Sequence, residues 1–320
     1  MSTLFIRKYG ESHGADLLER ILDRNNLNRA YKRVKANKGA PGIDGMTGKD
    51  ALPWLKEHRN ELLEQIRRGN YKPQAVRRKE IPKPDGGVRK LGKPTVVEQI
   101  IQQAIAQQLT PIFEPVFSDG SYGCRPGRSA QMGIQKVKEY AEQGYTTAVL
   151  IDLSRYFDTL NHDLLMNMVR EEVHDKGVIE LIKRFLKSGV MENGLHIRTE
   201  DGSPQGGPLS PLLANIYLNR FDQEMERRGV HVIRYAGDIV VLARTPRAKE
   251  WDQWLRRRFR MYIWKQWKVP KARAKSLEKL GVPKCKARKW SYVNGYWRIA
   301  GSPILTRGVS QIMCKPQNGV

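Results

Sequence analysis

The chain has 320 residues, 40% of them apolar, and a formal charge of +24 at pH 7. That length and apolar fraction are compatible with a real core in one large domain or two ordinary ones. The pI near 10.0 favours a polyanionic partner, nucleic acid before any other. Three widely separated cysteines, Cys124, Cys285 and Cys314, exclude a disulfide framework and a cysteine metal site and point to a reducing compartment. No signal-peptide core opens the sequence, and no apolar run reaches the roughly 18 residues of a membrane span. A soluble cytoplasmic protein with no membrane partner is expected.

In chain order, Leu17, Leu18, Ile21, Leu22, Leu27, Ala30, Tyr31 and Val34 keep a helical period, which predicts one helix over 16–36. It stops at the Gly/Pro loop Asn37–Gly42. A charged helix is expected over Asp50–Arg68, with Asp50 as N-cap. Ala75–Pro82 alternates like an edge strand and turns at Lys83–Pro84–Asp85–Gly86–Gly87. Val96–Leu109 reads as a helix, Ser121–Arg128 as an irregular loop and Ser129–Glu142 as a helix. The apolar strand Ala148–Leu153 carries one carboxylate, Asp152. Helices over His162–Arg170 and Lys176–Ser188 follow, then a short strand at 195–200. The rigid loop Pro204–Gln205–Gly206–Gly207–Pro208 opens another helix. Two apolar strands then flank the turn Tyr235–Ala236–Gly237–Asp238. This order predicts an α+β fold, an antiparallel sheet with helices on one face and acidic residues lining a cleft.

Two aspartates on separate strands suit a shared pair of magnesium ions. Joining a 3′-hydroxyl to a nucleotide α-phosphate uses two such ions roughly 3.5–4 Å apart, held by carboxylates on adjacent strands. Either aspartate alone reads better as one that caps a strand end or orders a turn; the paired setting and the flanking motifs reverse that. Phe157, five residues after Asp152, could lie under a nucleotide sugar and exclude a 2′-hydroxyl, although periodicity alone reads it as core. Gln205 sits where glycines allow close backbone approach to a ligand. Lys83 and Arg89 flank a hairpin tip and could grip a triphosphate.

Residues 251–290 contain fourteen Lys/Arg against two acidic residues. On a helix, Trp251, Trp254, Leu255, Phe259 and Tyr262 would share one face. Arg256, Arg257, Arg258, Arg260, Lys265 and Lys268 are candidate RNA-binding residues, since basic groups take phosphate and exposed aromatics stack on unpaired bases.

Five segments occur in a telling order: Ile81–Pro84, Leu91–Thr95, Ser121–Ser129, Pro204–Pro211 and Tyr235–Asp238. Together they resemble the bacterial group II intron reverse transcriptase/maturase family. The resemblance implies a right-hand polymerase with a fingers–palm core. It implies an N-terminal extension over 1–60, fingers and palm over 61–248, and a truncated, helical, basic maturase module over 249–320. It assigns Asp152 and Asp238 to Mg2+, Phe157 to a sugar gate, Gln205 to the nucleotide pocket, and Lys83 and Arg89 to the triphosphate. The implied partners are a group II intron RNA, a DNA primer or target and deoxynucleoside triphosphates.

Three departures stand out. The family's hairpin reads Tyr-Ala-Asp-Asp, and Gly237 replaces the first aspartate. Lys93 stands where an apolar residue is usual. Only Thr245–Glu250 separates the hairpin from the tryptophan-rich segment, where the family has its last palm strands and thumb; the final hairpin strand is therefore expected to lack a neighbour. Three readings follow: a reverse transcriptase and maturase impaired by Gly237 and the missing thumb, a catalytically inactive RNA-binding protein that assists splicing, or a decayed copy without function.

Overall fold

The computed structural model describes residues 17–244, apart from 38, 83–87, 146, 154–156, 158–159, 193, 200 and 204–205, and the backbone of three later strands. In chain order the elements are α1 (Leu17–Leu22), α2 (Arg24–Ala36), α3 (Ala51–Arg67), β1 (Val76–Pro82), β2 (Val88–Lys93), α4 (Val96–Phe113), α5 (Ala130–Glu142), β3 (Thr147–Asp152), α6 (His162–Glu172), α7 (Lys176–Leu186), β4 (Val190–Glu192), β5 (Leu195–Ile197), α8 (Ser210–Arg227), β6 (His231–Tyr235), β7 (Asp238–Ala243), β8 (Trp290–Val293), β9 (Tyr296–Ile299) and β10 (Leu305–Thr306). They fall into two compact units, residues 1–116 with 157–217 and residues 117–156 with 218–320. The fold is α+β, as expected.

The first unit is mainly helical around α4. The predicted helix over 16–36 is two helices, because Asp23 leaves the helical conformation and its carboxylate accepts from the Asn25 and Asn26 amides. Asp50 does not cap α3 with its side chain; its carboxylate instead accepts from the Thr47 amide and hydroxyl, closing the turn before the helix. Helix α4 opens with a full capping box between Thr95 and Glu98. Its Val96, Val97, Ile100, Ile101, Ala104 and Ile105 are all buried, so it is apolar around most of its circumference. Buried Asn26 donates to the Ile21 and Ala104 carbonyls and accepts from Gln107 and Gln108, tying α1 and α2 to α4.

A four-stranded sheet in the order β2-β1-β4-β5 completes this unit. Strand β1 is interior to it, not an edge, because β4 pairs with it in parallel. The Val76 amide also bonds the Gly189 carbonyl just before β4.

The second unit holds a sheet in the order β6-β7-β3-β10-β9-β8. Helices lie on both of its faces, against the expectation of one. Opposed residues of an antiparallel pair share a face. Ile233, Val240, Leu242 and Ala148 form one face and pack with Tyr122 and with Val137 and Tyr140 around α5. Arg234 and Ile239 belong to the opposite face, where Asp222 of α8 binds Arg234. Two covered faces explain the unbroken apolar run Ile239–Leu242, which a half-exposed strand would not have.

The final hairpin strand does not lack a neighbour. Strand β7 lies between β6 and β3, and the other side of β3 is taken in parallel by β10. The described residues after 244 are the three strands β8, β9 and β10; the basic helix expected over 251–268, with Arg256, Arg257, Arg258, Arg260, Lys265 and Lys268, lies outside the described residues.

Candidate active site

Strands β3 and β7 pair so that Asp152 and Asp238 are directly opposed. The Leu153 amide donates to the Gly237 carbonyl at 3.2 Å. A bond in that position makes 152/238 a non-hydrogen-bonded pair, the kind whose Cα atoms stand roughly 4.5 Å apart. The pair ends the face that elsewhere carries Ala148, Val240 and Leu242. One aspartate closes β3 and the other opens β7, so both stand where the ladder gives way to loops.

Tyr235 pairs with Asp238, leaving Ala236 and Gly237 as a two-residue turn. Ala236 has φ 54°, a conformation that suits glycine and strains an L-residue. Gly237 needs no such freedom. A Cβ there would meet only Leu153, with its Cβ at 3.7 Å, so the space for an aspartate exists and the fold does not require the glycine.

The turn is held from beneath by Arg234. Its side chain is fully buried, with Nε 3.0 and 2.9 Å from the two Asp222 carboxylate oxygens and Nη2 2.8 Å from Ser121 Oγ. Its Nη1 donates to the Ala236 carbonyl at 3.0 Å. Backbone bonds from Arg234 N to Gly120 O and from Tyr122 N to Arg234 O, each 2.8 Å, lay the loop before α5 along β6. Gly123 then presses so closely on Ala236 that any Cβ would overlap the Ala236 amide. Sequence reasoning missed Arg234 and Asp222; an arginine inside an otherwise apolar strand was the available signal. It also missed Glu98, although Thr95–Val96–Val97–Glu98 spells a capping box.

The other candidates lie in the first unit or outside the described residues. Phe157 is partly buried, and its carbonyl accepts from the Ser203 amide at 2.7 Å. That bond ties Phe157 to Ser203. Gly206 adopts φ 129°, and a Cβ on it would strike the Gly92 carbonyl of β2; one on Gly207 would strike the Gln102 side chain. Gly206 is thus required by its φ and by the β2 backbone, whereas the atom met at Gly207 is the movable end of a side chain. Gln205 and Lys83 are outside the described residues, and Arg89 is described as a position on β2, opposite Ile81.

The sequence matches the reverse transcriptase (RNA-dependent DNA polymerase) family over residues 81–282, and the chain belongs to that family. Its relatives place it with the group II intron reverse transcriptases and maturases. It is 38% identical to Protein YkfC of Escherichia coli (strain K12) over 66% of this chain and 57% of that protein. It is equally identical, 38%, to the group II intron-encoded protein LtrA of Lactococcus lactis subsp. cremoris over 61% of this chain and 32% of LtrA. The putative COX1/OXI3 intron 2 protein of Saccharomyces cerevisiae is 33% identical over 68% of this chain and 25% of its own length. The matched stretch therefore spans between a quarter and just over half of these relatives. Among solved structures, a partial Cas6-RT-Cas1--Cas2 complex aligns with 75% of this chain and 41% of its own at 23% identity and TM-score 0.47.

Proposed function

We propose that this chain is an RNA-directed DNA polymerase and intron maturase with an impaired polymerase centre. The observation that carries the reading is the direct opposition of Asp152 and Asp238 across β3 and β7 with a glycine at 237. Magnesium takes hard oxygen ligands and is commonly held by one or two carboxylates plus substrate phosphates. Among the described residues no group of three or more His, Cys, Asp or Glu is suited to a metal, and this opposed pair fits the smaller requirement. Asp152 and Asp238 would hold the ions. When bound, magnesium lowers the pKa of an attacking hydroxyl and offsets charge at the phosphoryl group.

The chain's other residues position substrates in this reading. Phe157 and Gln205 contact the incoming deoxynucleotide, Phe157 at its sugar. Lys83 and Arg89 neutralise its triphosphate. Residues 61–248 act as fingers and palm, 1–60 as an N-terminal extension and 249–320 as a truncated maturase module. Arg256, Arg257, Arg258, Arg260, Lys265 and Lys268 bind intron RNA, and a DNA primer or target completes the partners. No helix among the described residues is long and apolar enough to cross a membrane.

Losing one metal-positioning carboxylate at 237 costs several kcal/mol of transition-state stabilisation, roughly three decades of rate. Primer extension on an RNA template by the purified chain tests the reading. Extension close to background is expected; extension at the rate of an intact family polymerase overturns the impairment. Salt-dependent binding of structured RNA, with a log–log slope of several units, separates a retained RNA-binding role from a decayed copy, for which a flat response is expected.

A further inference from the structure

The β2-β1-β4-β5 sheet has two chemically different faces. Opposed residues share a face, and the register assigns them. One face carries Arg78, Lys90, Glu80 and Glu192. Here every cation has an acid: Arg78 lies 3.3 Å from Glu192, and Lys90 lies 2.6 Å from Glu192 and 3.6 Å from Glu80. The other face carries Arg77 opposite Lys93, Lys79 opposite Leu91 and Ile81 opposite Arg89. No described acidic residue pairs with Arg77, Lys79 or Lys93, although Arg77 and Lys79 are exposed.

Like charges directly across an antiparallel pair destabilise it. Burial, and then the charges of Lys79 and Arg77, push the Lys93 ammonium below its ordinary value. The same two strands pair Arg78 and Lys90 with acids on one side and, among the described residues, set Arg77, Lys79 and Lys93 together without an acidic partner on the other. Solubility alone does not require that asymmetry. A polyanion lying on the crowded face would relieve it. Leu91 and Ile81, the latter 39% exposed, offer apolar contact between the cations, which suits sugar and base edges.

We infer that Arg77, Lys79 and Lys93 form a binding stripe for the phosphodiester backbone of a single-stranded nucleic acid. The inference deepens the polymerase and maturase reading and rests on it for the identity of the polyanion. It assigns a role to Lys93, which stands where the family usually has an apolar residue; Arg89, to which the proposed reading gives a triphosphate contact, occupies a position on the same face.

The test uses the full chain and an oligouridylate RNA, read by fluorescence anisotropy over a salt series without magnesium or nucleotides. Each phosphate contact on a single strand contributes about 0.7 to the log–log salt slope. Arg77→Gln with Lys79→Gln and Lys93→Gln should lower the slope by about 2 and weaken binding at low salt. Lys90→Gln, on the ion-paired face, should leave the slope unchanged. Arg77→Glu provides a variant that keeps its fold, since it places an acid opposite Lys93; it should melt no lower than the parent and still bind RNA more weakly.

A DNA oligomer of equal length separates sources. An equal loss on DNA assigns the stripe to the shared backbone, and a loss on RNA alone assigns it to an RNA strand. Unchanged RNA binding in both variants overturns the proposal. So does weakened binding of a deoxynucleoside triphosphate with RNA binding intact, which would make the stripe part of the nucleotide site. No polymerisation is measured, so failure of the catalytic reading leaves this result standing, and the converse holds.

Discussion

Arg234 and Asp222 form an ion pair inside the second unit, Nη2 to Oδ2 at 2.7 Å, with side chains 0% and 2% exposed. This pair roots the turn that presents Asp238. Removing one partner leaves the other charge buried without compensation, which costs about 3–5 kcal/mol. Asp222→Ala is expected to lower stability by that amount in urea unfolding. Asp222→Leu with Arg234→Met together should cost much less than either change alone, because two apolar groups leave no orphaned charge.

The contact between Gly123 and Ala236 admits no Cβ at 123. Gly123→Ala is expected to destabilise by about 1–3 kcal/mol through overpacking. It should also disturb Ala236, whose φ of 54° already tolerates little movement. A lowered melting temperature with a changed near-ultraviolet dichroism from Tyr122 and Tyr235 would register both effects. An unchanged melt would refute the tight contact.

Stability should fall with rising pH through Glu98. Its carboxyl is buried, and that burial raises its pKa from 4.5 to about 7. The folded protein therefore holds this proton more tightly than the unfolded chain. The contribution is fully present below pH 4.5 and is lost as pH rises through 7, an effect on the order of 3 kcal/mol. Unfolding midpoints across that window should slope downward in the parent and flatten in Glu98→Gln. Parallel curves for the two proteins would exclude Glu98 as the source.

Gly237→Asp should fold as the parent does, since a Cβ at 237 meets only ordinary contacts. Primer extension is expected to recover little if, as the proposed reading has it, residues 245–250 replace the segment that grips the primer duplex. Full recovery of extension would locate the whole defect at 237.

RNA affinity should survive these catalytic changes. Arg256→Ala with Arg257→Ala and Arg258→Ala is expected to weaken binding of structured RNA and lower its salt slope by about 2, with the melting temperature unchanged. Identical salt slopes would remove these residues from the interface.

Local chemistry fixed much of this protein in advance of its folding. Unbroken apolar runs rich in β-branched residues marked the strands around Asp152 and Asp238, turn residues marked the hairpin between Tyr235 and Asp238, and ordered motifs identified the reverse transcriptase family. Those signals are carried by a few neighbouring residues, so one sequence suffices to read them. Tertiary structure alone decided what depends on partners distant in the chain. It set β3 against β7 in the register that opposes Asp152 to Asp238, placed β4 beside β1 so that β1 is no edge, and brought β10 to β3. It buried Arg234 against Asp222, twelve residues away, and put Lys93 opposite Arg77. A strand's pattern states which residues alternate, but its neighbour and register follow from which pairing buries the most apolar surface and leaves the fewest charges alone, and that comparison exists only once the chain is folded.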